Sequence, residues 1–127
     1  MKIINIEKLN GYRTIVLTGR NENVRAIAKY LKAILYYVPR DTDYFEDYPM
    51  VANELKETVD NMQYIDRVVA ITSQSEEFLD CLLQSELDFV LVTVRKDAKE
   101  EDLYRLRVIT KKDAWANRCA FHFELRR

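Results

Sequence analysis

The sequence predicts an α+β fold: one domain over residues 1–127, built on a single mixed, mostly antiparallel sheet with helices packed on one or both faces. Three observations predict it. Short β-branched runs recur, at Ile15-Val16-Leu17, Val68-Val69-Ala70-Ile71 and Phe89 to Val94. Between them lie segments whose apolar residues return at helical spacing. Near the start, Asn10-Gly11 separates two apolar stretches, and that dipeptide favours a tight hairpin turn because both residues tolerate positive φ.

Taken in order, Ile3 to Leu9 reads as a strand and Tyr12 to Thr18 as its hairpin partner. Gly19 and Arg20 break the strand, and Asn21 or Asn23 is placed to cap a helix. Val24, Ile27, Ala28, Leu31, Ile34 and Leu35 give that helix an apolar stripe, and Pro39 stops it near Tyr37 or Val38. A second helix starts near Pro49, with Val51, Leu55, Val59 and Met62 buried. Arg67 to Thr72 is a short strand. Ser73-Gln74-Ser75-Glu76 matches a capping box, opening a helix that buries Phe78, Leu79, Leu82 and Leu83. Phe89 to Val94 is apolar on both faces, as a central strand would be, and its link to the preceding strand reads as a parallel crossover. Leu103 to Thr110 alternates as a strand. Lys111 to Arg118 is a loop with one helical turn around Trp115, and Cys119 to Leu125 is the last strand. The expected order is ββααβαβββ.

Composition excludes more than it identifies. Apolar residues make up 48% and charged residues 32%, which suits a chain that buries a core rather than a disordered one. Gly11 and Gly19 are the only glycines, too few for a dinucleotide fingerprint or a phosphate-binding P-loop. His122, Cys81 and Cys119 cannot assemble a structural zinc site, and Asp41-x-Asp43 lacks the glycine and distal glutamate of a calcium loop. No cofactor or metal is expected. No apolar run reaches the ~20 residues of a membrane span, and the first residues do not resemble a signal peptide. With two thiols that need not pair, the chain reads as cytoplasmic.

Charge layout is the most informative feature. Residues 1–38 hold seven Lys/Arg and two Asp/Glu; residues 39–90 hold three and thirteen; residues 91–127 hold ten and six. Such sorting presents opposite potentials on different surfaces, which steer partners. The acidic maximum, Arg40 to Tyr48, carries Asp41, Asp43, Glu46 and Asp47 among the aromatics Tyr44, Phe45 and Tyr48. Aromatics supply contact area at low entropic cost, and the carboxylates select a basic surface. The bland alternative is a solvated helix–helix connection whose aromatics fold back onto the core.

Two basic constellations form an alternative site, for nucleic acid. Arg25, Lys29, Lys32 and Tyr36 share one helical stripe, with Arg20 at its start, and can track phosphates with Tyr36 free to stack. Arg105 and Arg107 project from one face of their strand, beside His122, Glu124 and Arg126 if the last two strands are neighbours. In an enzyme, His122 would serve as base and Glu124 would orient it. An ordinary solvated face, with cross-strand ion pairs on the sheet, is the plainer and more frequent reading of both patterns. Gly19-Arg20-Asn21 suits an anion or plain capping, Cys81 and Cys119 suit packing, and Trp115 beside Lys111, Lys112 and Arg118 suits either stacking or plugging the sheet end.

The leading expectation is a small non-enzymatic binding protein of inhibitor, immunity or adaptor type, which occupies a protein partner with a basic surface through residues 41–48. Its composition is compatible with small phage or mobile-element proteins. Nucleic-acid binding is the alternative, and a hydrolase or transferase centred on His122 is a third.

Overall fold

A computed structural model describes residues 2–38, 47–62, 68–95 and 97–117. The chain runs through β1 (Lys2–Asn5), a 3-10 helix (Ile6–Gly11), β2 (Thr14–Thr18), α1 (Asn21–Tyr30) and β3 (Ile34–Val38). It continues through α2 (Tyr48–Asn61), β4 (Val69–Ser73), α3 (Glu76–Gln84) and β5 (Val90–Thr93). A second 3-10 helix (Glu100–Tyr104), β6 (Arg105–Thr110) and α4 (Lys111–Ala116) complete the described elements.

The six strands form one mixed sheet in the order β1-β6-β5-β2-β4-β3, so helices and a mixed sheet combine as expected of an α+β chain. The expected element order and the mostly antiparallel character do not hold. β2 pairs in parallel with both β4 and β5, and β3 pairs in parallel with β4; only β6 runs against its neighbours. The cause is connectivity: β2, β3, β4 and β5 are joined in turn by α1, α2 and α3, and a helical crossover returns the chain to the same end of the sheet.

Every residue of β2 and β4 is buried, because helices cover both faces of the sheet centre. Alternation divides their side chains. Ile15, Leu17, Ala70 and Val92 meet Val24, Ile27 and Leu31 from α1 on one side. Val16, Val69, Ile71 and Leu91 meet Ala52, Leu55 and Val59 of α2 and Phe78, Leu79 and Leu82 of α3 on the other. Thr72 ties the centre together, donating from Oγ1 to the Leu17 carbonyl at 2.7 Å.

Three local expectations are corrected. The hairpin at Asn10-Gly11 does not form. β1 pairs with β6 at the far edge, and Gly11 does not have the positive φ that a type I′ turn needs. Residues 6–11 instead form the 3-10 helix, whose Ile6 and Leu9, three apart, are both buried against the α1 side. Burial of that pair over the sheet outweighs the turn preference. The first helix, expected to reach Tyr37 or Val38, ends at Tyr30. Lys32 turns left-handed, with φ 52°, and Ile34-Leu35-Tyr36-Tyr37-Val38 becomes a strand. A short apolar run satisfies helical and extended spacing alike, and pairing along β4 holds this one extended. The expected cap at Ser73 moves two residues on: Ser75 Oγ accepts from the Phe78 N–H at 3.2 Å, while Ser73 Oγ accepts from the Ser75 N–H. The helical turn around Trp115 is present as α4.

Candidate functional site

All the parallel strands end at one edge of the sheet, and the segments that follow them carry the residues of interest. After β2 the chain passes to α1 on one face; after β4, its neighbour, it passes to α3 on the opposite face. Such a divergence opens a crevice between the two loops. In this protein Gln74 spans it. Its Nε2 donates to the Gly19 carbonyl at 2.9 Å and to Asn21 Oδ1 at 3.1 Å. Asn21 is therefore the first helical residue and an acceptor for Gln74, and Arg20 occupies the capping position with no side-chain bond to the helix. The anticipated choice between capping and anion binding at Gly19-Arg20-Asn21 is replaced by a latch between β2 and β4.

β3 also ends at this edge, at Val38, and α2 begins there, so the described residues on either side of the acidic segment both lie at the carboxyl ends of the strands. Asp41, Asp43, Tyr44, Phe45 and Glu46 lie outside the described residues. Asp47 is exposed at the start of α2 and makes no capping bond. Tyr48 is in the core, only 3% exposed, with its ring edge-on to Phe78 at 5.3 Å. Its burial follows from its place on the stripe of Ala52, Leu55 and Val59, so this aromatic serves packing rather than a surface. Sequence reasoning missed two neighbours: Tyr37, 47% exposed near the end of β3, and Met50, 55% exposed in the first turn of α2. Tyr37 was hidden by its assignment to a helix, and Met50 by lying off the α2 stripe.

The basic helix stripe is broken up. Arg25 and Lys29 are exposed on α1 as expected. Lys32 lies beyond the helix at the opposite edge of the sheet, where it shares a pocket with Asn10 and Arg13. Tyr36 is on β3 and faces the α2 side, its hydroxyl 3.7 Å from Met62 Sδ. One tracking surface therefore cannot include all four. Arg105 and Arg107 do share a face of β6, since the intervening Leu106 is buried toward α1. Arg107 stands opposite Thr93 on β5 and Ile3 on β1. His122, Glu124, Arg126 and Cys119 lie outside the described residues.

Lys111 turns inward. Its Nζ donates to the Leu87 carbonyl at 2.6 Å and to the Ser85 carbonyl, and it lies 5.5 Å from the Phe89 ring centre. Burial holds its ammonium below the usual lysine range, against the opposing pull of Asp88 and Glu86. The side chain thus pins the turn between α3 and β5 to α4, while Trp115 on α4 remains 40% exposed.

Cys81 is half-buried on α3 beside the core. Burial first, and the charge of Asp80 second, push its thiol above the usual range. At pH 8 it should therefore react with iodoacetamide more slowly than a free cysteine, because the thiolate is the reactive form. With Cys119 replaced by serine, mass spectrometry should find slow alkylation in buffer and normal alkylation in denaturant; equal rates would contradict the burial.

Among the described residues no group of three or more His, Cys, Asp or Glu is placed to hold a metal, and no helix is long and apolar enough to cross a membrane. In comparisons with protein-family models, curated proteins and solved structures, none matches this chain.

Proposed function

We propose that this protein acts by binding a protein partner with a basic surface, through the end of the sheet where β3 gives way to α2. The observation that carries the reading is the pair Tyr37 and Met50. Each leaves about half of its large side chain in water, and they flank the most acidic stretch of the chain. Exposed tyrosine and methionine are common anchors at interfaces, and the carboxylates between them in the sequence, Asp41, Asp43, Glu46 and Asp47, add selectivity for cations and faster encounter. β3 adds a further feature: it is an edge strand of five residues without a charge, and no described strand pairs with its outer side. Strands of this kind accept an added strand from a partner.

The test is site-specific photocrosslinking. A benzoylphenylalanine at position 37 or 50 should capture the same partner, and one at position 25, on the outer face of α1, should not. Reversing Asp43, Glu46 and Asp47 to lysine should abolish both adducts, and a stability change of no more than about 1 kcal/mol would separate lost docking from lost folding. Undiminished crosslinking by that triple variant would rule out the acidic segment as the docking element.

A further inference from the structure

A second site, separate from the β3–α2 end, lies where β5 turns back through the 3-10 helix Glu100–Tyr104 into β6. A pocket of about 360 Å³ opens there, within the size range of small-ligand sites. Among the described residues its charged lining is the cations Arg95, Lys99, Arg105 and Arg107 and the carboxylates Asp97 and Asp102. Both carboxylates are already engaged. Asp97 Oδ1 pairs with Arg95 Nε at 3.3 Å, and Asp102 Oδ2 accepts the Lys99 backbone N–H at 2.9 Å. Arg107 is half-buried and has a partner within the fold. The Lys99 ammonium and the Arg105 guanidinium remain, both on exposed residues and neither with a described carboxylate partner.

The sheet forces this crowding. Arg107 is held opposite Thr93, and Arg95 lies two residues beyond Thr93 while Arg105 lies two before Arg107. Arg95, two residues past the end of β5, and Arg105, the first residue of β6, thus lie near the same end of the sheet. Like charges brought close together cost stability unless a counter-charge relieves them. Among the described lining residues, Arg95, Lys99, Arg105 and Arg107 outnumber Asp97 and Asp102. Arg95 Nη2 also donates to Asp97 Oδ2 at 3.5 Å, but both contacts are long and exposed, so the guanidinium can turn toward a stronger anion.

We infer that this pocket binds a phosphate group, with the Arg105 fork and the Lys99 ammonium as its main contacts and Arg95 as a third. A planar guanidinium offers two parallel N–H donors matched to phosphate oxygens, and the ammonium adds a point charge. A free phosphate compound and a nucleic-acid backbone carry the same chemistry, and the assay separates them.

The full chain is titrated with inorganic pyrophosphate, and in parallel with an oligothymidylate, while backbone and arginine Nε signals are followed by NMR. Pyrophosphate should shift signals between Arg95 and Arg107 with a dissociation constant of ~1 mM or tighter. The double variant Lys99→Gln, Arg105→Gln should weaken it at least ~tenfold. Arg105→Lys, which keeps the charge but loses the fork, should fall between. Arg25→Gln, on the outer face of α1, should bind as the parent does. Tighter oligothymidylate binding that shifts the same signals, and weakens steeply with salt, would assign the phosphate to a nucleic-acid backbone. No shift in this region at about ten times the expected constant, or unchanged binding by a folded double variant, would overturn the site.

Discussion

Phe78→Ala is expected to destabilise the protein by about 3–5 kcal/mol, a large share of the roughly 5–15 kcal/mol that holds a typical domain together. Phe78 is fully buried and, among the described residues, is the largest side chain enclosed so completely. It projects from α3 into the core shared by α2 and the sheet, and the Tyr48 ring meets it at 64°. Truncation removes apolar contacts on all sides and leaves a cavity that the rigid strands β2 and β4 cannot close. Its backbone N–H would still be bonded to Ser75 Oγ, so the loss reports packing rather than helix capping. Chemical denaturation would measure it; a loss below about 1 kcal/mol would be the cost of a surface change and would contradict this core. Tyr48→Ala should add less than its own single effect when combined with Phe78→Ala, because the two rings touch and neighbouring substitutions couple.

Gly19→Ala is expected to cost about 2–4 kcal/mol, from strain and overpacking together. Gly19 has φ +147°, a conformation side chains rarely adopt, and a Cβ there would stand 3.0 Å from both the Cβ and the carbonyl oxygen of Val94. Neither neighbour is free to retreat. The Val94 N–H is bonded to the Thr18 carbonyl at 2.9 Å, which fixes β5 against β2. The added methyl would push these strands apart where Gln74 also holds the Gly19 carbonyl. Gly11→Ala is the internal control: a Cβ at Gly11 meets nothing within 4 Å, and its φ is not positive. That change should be neutral or stabilise by ~0.4–1 kcal/mol through the unfolded chain. Equal melting behaviour of the two alanine variants would refute the close approach of β2 and β5.

The expected docking segment was legible as a run of charge and aromatic residues, yet its neighbours were not. Asp47 stands out in the sequence and is exposed in the structure, whereas Tyr48 beside it is buried. The difference is one step of a helix: Tyr48 begins the stripe that faces the sheet. The phosphate pocket shows the same division. Arg105 and Arg107 are visible as alternate residues of a strand, but Arg95 and Lys99 join them only because the chain reverses between β5 and β6.

The sequence by itself determined the elements whose signals are strong and local. β2, β4 and β5 stand as apolar runs; α2 and α3 stand as long helical stripes; Pro49 falls in the first turn of α2. These depend on interactions between residues close along the chain, so a window of sequence contains the cause. Tertiary structure alone decided the rest. Asn10-Gly11 favours a turn, but the buried pair Ile6 and Leu9 makes that segment a 3-10 helix. Residues 34–38 suit a helix or a strand, and pairing with β4 makes them a strand. The strand order, with β2 between β4 and β5 and β1 sent to the far edge beside β6, appears in no local pattern. It follows from burying both faces of the central strands at once, and that requirement joins residues far apart in the chain.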